Sequence, residues 1–490
     1  MIRKQDSPQP LFYAAAEISR PAAGNFYLRL SAAVGDWERL AAPFAPAFAA
    51  GRGRPTDPAV YLKIFLVGYL ENICYDTDLA ERIGDSIAIR QFLGYSLAEA
   101  PPDHSSISRN RGRIGACCRI EAVLEQVVEL CRAQGLVAGA ETALDATLLP
   151  ANASLASLRS VTTGQSVGQH LAAVREHNAS LAAGEPRQSA QISNAAFRST
   201  TDPEARVARK RGAPAKLCYL ASHLTDSKAG IILAAECSPA DAGEIEPAKA
   251  TLRQAQGHLG ELGTVVADAG YDCGACHAWV EEQGATPLTN YTDRAQKPAG
   301  CQKADFSYDA TADCYRCPAG QLLRYGETDA SGRRRYRSRM GDCKGCRQKA
   351  ACLGNGDRRS IFRLVGEESR ARNIARANTA AGQAALRRRK SIVEPPFGHL
   401  KTYGGLRLIN CRGQAKARVK VIMAAVAWDL IKLVGARGPR LEVAVAASRR
   451  LAEGLLARCG TCFLHCGAVI GQLTVLVIAG YLKPQKVFLR

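Results

Sequence analysis

The chain has 490 residues, 47% of them hydrophobic and 22% charged, which excludes a disordered polyelectrolyte and leaves room for two or more domains. A formal net charge of +20 at pH 7 excludes a neutral housekeeping surface and points to an anionic partner, nucleic acid or a membrane face. Residues 1–21 carry no apolar run of the secretory kind, so the 18 cysteines read as thiols or metal ligands in a reducing compartment, not as a disulfide framework.

From the N-terminus, residues 54–116 read as helical. Asp57-Pro58 is a helix start, residues 60–73 carry apolar positions at helical spacing, and shorter helical patterns follow at 79–83 and 87–93. Pro101-Pro102 break the chain, Asp103 or a following serine supplies a cap, and the next helix carries Arg109, Arg111 and Arg113. Arg109 and Arg113 are four apart and share a face. A helix-turn-helix with a basic second helix has this form; so does an ordinary bundle with a solvated arginine face.

A further helix is expected over 120–134. Residues 141–150 form a strand with Asp145 inside it. Residues 151–211, rich in Ala, Ser, Asn, Gln and Arg, read as a partly helical excursion. Strands return at 217–224 and 231–237 around a turn at 226–230, a hairpin. A helix at 245–259, a buried-type strand at 263–267 ending on Asp268, a helix at 273–283 and a strand at 286–291 complete a mixed α/β plan. Asp145 and Asp268 both fall in apolar strands, where an unpaired charge is costly. A shared ligand is therefore the better expectation.

Six cysteines lie between 301 and 352. Cys314-x-x-Cys317 and Cys343-x-x-Cys346 are two knuckles, with Cys352 close behind as an alternative ligand, the usual form of a tetrahedral thiolate zinc site. Their 25-residue spacer exceeds the common ribbon range, and plain thiols are the bland reading. A basic β-hairpin is expected over 321–336. Cys273-Gly-Ala-Cys276-His277 matches a c-type haem pattern literally, but it follows the Asp268 strand where a helix is due and reads as coincidence.

Basic helical sequence then leads to Glu394. Between Arg358 and Lys420 stand sixteen Lys or Arg and three acids, Glu367, Glu368 and Glu394. A lone carboxylate in such a field suits a site that grips a polyanion while a divalent metal holds the acid; pairing with a neighbouring arginine is the bland alternative. Arg387, Arg388, Arg389, Lys390 and Lys401 are the candidate phosphate contacts. Residues 415–434 form an apolar helix. The stretch 463–482 is the most apolar, but His465 and Gln472 interrupt it, so no membrane span is expected. Asp145, Asp268 and Glu394 are spaced by 123 and 126 residues. Three carboxylates can hold two Mg²⁺ ions that activate a water or 3′-hydroxyl and stabilise the leaving oxygen. With 45 acids in the chain, spacing alone is only suggestive.

Three blocks then carry a resemblance: Leu144-Asp145-Ala-Thr with Ala151-Asn-Ala-Ser154, Asp268-Ala-Gly-Tyr-Asp272, and Ile392-Val-Glu394-x-Pro-Phe-Gly-x-x-Lys401. They resemble the catalytic blocks of bacterial DDE insertion-sequence transposases, in the expected order. The CxxC-bearing insert, Arg54-Pro-x-x-Asp57-Pro and Pro102-Asp103-His104-Ser-Ser-Ile-Ser-Arg109 are similar to the insertion-sequence 1182 group, and the likeness runs over about residues 50–434. The resemblance implies an RNase H-like core with Asp145, Asp268 and Glu394 as metal-binding triad for Mg²⁺ or Mn²⁺, and Lys401 on DNA near the cleaved end. It also implies an N-terminal helix-turn-helix-like domain using Arg109 and Arg113, and a Cys-rich insertion with structural Zn²⁺. The expected partners are the element's terminal inverted repeats, target DNA and a second copy of the chain, in the cytoplasm on the nucleoid and away from membranes.

Two departures stand out. Lys390 occupies the position four before the acid where related chains often carry Arg, which keeps charge but loses a bidentate fork. Pro395 biases Glu394 away from helical geometry, so the seven-residue step to Lys401 is not assured to face one way. The expected division is an extension over 1–50, a helical DNA-binding domain over 51–120 and the first part of the core over 121–300. A zinc-ribbon-like insertion over 301–355, the rest of the core over 356–434 and a tail over 435–490 follow. A catalytically decayed or repurposed DNA-binding protein is the alternative, against which the three intact carboxylates argue. A nuclease that cuts without joining is a third.

Overall fold

The computed structural model describes residues 24–48, 57–182, 185–210, 212–291, 301–329, 332–353 and 355–436. The expected tail over 435–490 and its apolar stretch lie almost wholly outside them. Among the described residues no helix is long and apolar enough to cross a membrane.

The N-terminal part is helical: α1 (Phe26–Val34), α2 (Trp37–Ala41), α3 (Pro58–Leu70), α4 (Asp76–Asp85), α5 (Ile87–Leu93), α6 (His104–Cys117) and α7 (Glu121–Ala133). Asp57 caps α3 by accepting the Ala59 N–H at 2.8 Å, with Pro58 in the first turn, where its missing donor costs nothing. α3 is apolar all round and buries Leu62, Ile64, Phe65 and Leu66, each worth about 1.5–3 kcal/mol of transfer. Asp103 caps α6. That helix is divided by burial: Arg111 lies inside, paired with Asp76 at 2.6 Å and stacked over Phe65, whereas Arg109 and Arg113 are exposed.

Next come β1 (Glu141–Pro150), β2 (Leu158–Ser160), α8 (Val167–Ser180), β3 (Phe197–Ser199), β4 (Arg206–Ala208), β5 (Lys216–Asp226) and β6 (Ile232–Pro239). Then follow α9 (Ile245–Leu259), β7 (Thr264–Ala267), α10 (Gly274–Glu282) and β8 (Thr286–Thr289). The main sheet runs β4-β5-β1-β7-β8, with β6 also on β5. β1, β5 and β6 are antiparallel; β7 and β8 continue parallel to β1. β5 is buried along nearly its whole length, as a central strand covered on both faces must be. The excursion 151–211 forms a small β2–β3 ladder, α8 and β4, and it rejoins the core where Tyr219 donates to Asp202 at 2.8 Å.

A separate five-stranded antiparallel sheet, ordered β13-β12-β11-β10-β9, contains β9 (Ser307–Asp309), β10 (Cys314–Arg316), β11 (Leu322–Thr328), β12 (Arg334–Arg337) and β13 (Ser360–Arg363), with α11 (Lys349–Leu353) between the last two. The expected hairpin over 321–336 is its β11–β12 pair. Phe306, Tyr315, Leu323, Tyr336 and Ile361 form its own core.

The chain returns through α12 (Glu367–Ala377), α13 (Ala380–Thr402) and α14 (Gln414–Ala436). α13 packs on β1, β5, β7 and β8; α9 packs on β6, β5 and β1. α14 is pinned to the β5–β6 hairpin, since Asp429 accepts the Ile232 N–H at 2.8 Å and Trp428 donates to the Gly230 carbonyl at 2.7 Å. The expectation that Pro395 turns Glu394 out of helical geometry is corrected. α13 runs unbroken through Pro395 and Pro396. A helix-interior proline costs about 3 kcal/mol, and burial of Ile392, Val393, Pro396 and Leu400 along this face offsets it.

Candidate active site

Asp145 lies in mid-β1, and β1 pairs with β7 in parallel register, Ala143 opposite Val266. Two residues on, that register sets Asp145 level with Asp268, and the alternation of strands puts both on the face that α13 covers. Ala143 does pack there, against Ile392 and Val393 of α13. Asp268 ends β7 in an extended conformation and accepts the Gly270 N–H at 2.8 Å, opening a short turn over Ala269–Tyr271.

The field around Asp145 is mixed. Burial pushes its carboxyl up, the charge of Asp268 adds to that, and the Arg389 guanidinium, 3.5 Å away, opposes it. Lys401 donates to Thr147, the next residue of β1 on that face; burial lowers its ammonium pKa and Asp145 works the other way. His223 stands directly opposite Asp145 on β5 and stacks on Phe397 of α13, centroids 4.4 Å apart and planes within 10°. Among the described residues neither ring nitrogen has a partner, and burial, helped by Lys401, pushes its pKa down to about 3.

Glu394 is exposed and makes no hydrogen bond or ion pair among the described residues. Helical spacing puts it on one flank of α13 with Arg387, Lys390 and Lys401. Arg387 and Lys390 line a cleft with Asn290 and Tyr291, just past β8, so this is the flank toward β7 and β8. The opposite flank, with Arg388, Ser391 and Pro395, lines a cleft with Glu141 and Lys228. Within the basic run, Arg388 is tied to Glu141 at 2.7 Å and Arg389 to Asp145. Asp272, the second acid of its block, is held by Arg370 through two hydrogen bonds of 3.1 and 2.7 Å and reads as a structural tie to α12.

Sequence reasoning missed Glu244. It opens α9 without capping it. An ideal Cβ on Gly270 would lie 2.9 Å from Glu244 Oε2 and 3.0 Å from Asp268 Oδ1, so the two carboxylates border one small space. Loss of water, then Asp268 and Asp145, push the Glu244 carboxyl up. Its only sequence signal was its place at a strand-to-helix turn, where an acid normally reads as a favourable helix start. His223 and Tyr271 were also missed, as plain core residues.

The cysteines of the small sheet divide. Cys317, Cys343, Cys346 and Cys352 line one cavity with Ser338 and Arg359, and the Gln321 N–H points to the Cys317 sulfur at 3.2 Å. Cys314 is buried in β10, where alternation turns it to the face opposite Tyr315. In the haem-like pattern, Cys273 caps α10 and His277 is buried against Thr289 at 3.1 Å, which is ordinary helix and core chemistry.

Crowded carboxylates around an open space suit a hard divalent cation. Glu244 and Asp268 border one such space and Asp145 lies level with Asp268, but among the described residues no three His, Cys, Asp or Glu side chains are grouped closely enough to hold a metal ion.

Comparison with known proteins names the chemistry. Residues 15–113 match the family model described as Transposase domain (DUF772), and residues 316–434 match the model described as Transposase DDE domain; the second stretch includes Glu394, and both aspartates lie outside the two. No curated protein matches the chain. A cryo-EM structure of the piggyBac transposase synaptic complex with hairpin DNA is similar at 11% identity, covering 84% of this chain and 75% of that one with a TM-score of 0.34. The matched domains place the chain among metal-dependent enzymes that cleave DNA and transfer its strands. More particularly, the two matches support a DDE transposase of the insertion-sequence type, and their pairing is consistent with the insertion-sequence 1182 group.

Proposed function

We propose that Asp145, Asp268 and Glu394 are the catalytic acids of an RNase H-like core that hydrolyses the element ends and joins the freed 3′-hydroxyls to target DNA. The observation that carries this reading is the level pair Asp145 and Asp268 on adjacent parallel strands, under the helix that bears Glu394. Three antiparallel strands followed by two parallel ones support the RNase H-like assignment. Two Mg²⁺ ions, with Mn²⁺ as a substitute, would supply Lewis acidity for in-line displacement at phosphorus.

The chain's own residues do the rest. Arg389 compensates Asp145, working against the burial that raises its carboxyl beneath the helix. Lys401, steadied by Thr147, holds an ammonium beside Asp145 for a phosphate next to the scissile bond. Arg387 and Lys390, on the Glu394 flank, line the approach for the DNA backbone, and the helix-turn-helix-like N-terminal domain adds Arg109 and Arg113. In each step a water or a 3′-hydroxyl attacks phosphorus, the bond to the departing oxygen breaks, and the nucleophile's proton passes to solvent. Two element ends must be handled together, which calls for a homodimer or larger assembly on DNA, working on the nucleoid in the cytoplasm. A Zn²⁺ held by Cys317, Cys343 and Cys346, with Cys352 rather than Cys314 as fourth ligand, would stiffen the insertion.

The test is cleavage and joining of labelled element-end DNA with Mg²⁺ at low salt, for the intact chain and for Asp268→Ala. Joined products that vanish in the variant support the reading. Cleavage that survives Asp268→Ala would remove Asp268 from the site.

A further inference from the structure

Beyond the three acids, we propose that Glu244 is a fourth carboxylate of this site and shares a divalent cation with Asp268. The inference rests on the reading of Asp268 as a metal-binding acid and adds a ligand that no block of the sequence marks.

Three observations converge. Gly270 leaves a gap where any side chain would strike both carboxylates, at 2.9 Å from Glu244 Oε2 and 3.0 Å from Asp268 Oδ1. Two carboxylate oxygens that border one gap can share a cation, since ligands of one Mg²⁺, each about 2.0–2.1 Å from the ion, must be neighbours. Next, the pair lacks a cation. Arg389 answers Asp145, whereas among the described residues neither Glu244 nor Asp268 has an ion-pair partner. Two carboxylates that share a gap without a counter-charge repel each other, and a bound cation removes that conflict.

The third observation is Tyr271. It is 2% exposed and its hydroxyl has no hydrogen-bond partner among the described residues, an arrangement that costs free energy unless something fills it. Glu244, Asp145 and Asp268, and after them Cys276, are the charges that act on that hydroxyl. A cation with its hydration water between these acids gives the hydroxyl an oxygen to donate to. Glu244 is free for the role because its side chain does not cap α9; the helix start itself favours a negative charge there.

The measurement is Mn²⁺ binding to the full chain without DNA, followed by the EPR signal of free Mn²⁺, for the intact protein, Glu244→Gln, Glu244→Asp and Asp268→Asn. Metal-free melting curves check that each variant folds. The expected result is that Glu244→Gln weakens Mn²⁺ by about tenfold or more, no less than loss of an outer-shell partner of a metal ligand does, that Asp268→Asn weakens it comparably, and that Glu244→Asp recovers part of the loss. If Asp268→Asn weakens binding while Glu244→Gln matches the intact protein, the fourth carboxylate is refuted and the catalytic acids stand. If Asp268→Asn leaves binding intact, the assignment of Asp268 fails and takes this inference with it. Should Glu244→Gln melt early without metal, Glu244→Asp decides: weakened Mn²⁺ binding in a folded Glu244→Asp chain supports the ligand, and unchanged binding refutes it.

Discussion

His223 should make this protein acid-sensitive by a calculable amount. Its ring is 1% exposed, stacked on Phe397, with both nitrogens unpartnered among the described residues, and burial pushes its pKa down to about 3. In the unfolded chain the same ring titrates near 6.5. Below pH 6.5 the unfolded chain therefore takes up a proton that the folded chain refuses until about pH 3. Stability is full above pH 6.5 and is lost as pH falls, at about 1.4 kcal/mol per unit. At pH 4.5, two units below the unfolded value, this one side chain withdraws about 3 kcal/mol. His223→Leu keeps an apolar contact with Phe397 and cannot titrate. Urea unfolding of both chains at pH 7.5 and 4.5 isolates the effect, because the carboxylates they share cancel in the difference. The variant should gain about 3 kcal/mol on the intact protein between the two pH values. A gap that stays constant would refute the burial of a neutral imidazole under α13. Since Phe397 sits three residues after Glu394, DNA cleavage should fall over the same acid range and less so in His223→Leu.

Three further outcomes follow from particular contacts. Gly274→Ala would set a Cβ 2.5 Å from the Gly366 carbonyl and 2.6 Å from that of Val365; the backbones must part, at about 1–3 kcal/mol, and a melting temperature equal to the parent's would contradict this close approach. Arg387→Gln should lower the salt slope of DNA binding by about 1, whereas Arg388→Gln should lower it less, because Glu141 already neutralises Arg388 at 2.7 Å; equal slopes would argue against the assignment. The purified chain should carry about one zinc ion by atomic absorption, retained in Cys314→Ser and lost in Cys343→Ser and Cys352→Ser, while retention in all three would leave the cysteines as plain thiols.

Much of the fold was legible because local signals agree with the tertiary outcome. Asp57-Pro58 and Asp103 cap where expected, the strand at 141–150 and the helix at 245–259 fall on the observed bounds, and the hairpin around 226–230 forms. Capping, periodicity and turn chemistry act within a few residues, so a reader of the sequence can weigh them. The resemblance to DDE transposases was legible for a different reason. Its blocks are short, and their order along the chain is itself specific.

What the sequence could not decide is set by contacts between residues far apart in the chain. The proline pair after Glu394 argues locally for a break, yet burial of one face of α13 against four strands keeps the helix whole. Asp145 and Asp268 are separated by 123 residues and become level only through the parallel register of β1 and β7. Glu244 looks like any acid at a helix start until the packing of α9 on the sheet brings Asp268 and Gly270 beside it. The cysteines divide by strand alternation, Cys314 to one face and Cys317 with Cys343, Cys346 and Cys352 around one cavity. Sequence spacing names the residue types a site needs. Register and packing decide which of them share a space, because those depend on pairings that no local stretch encodes.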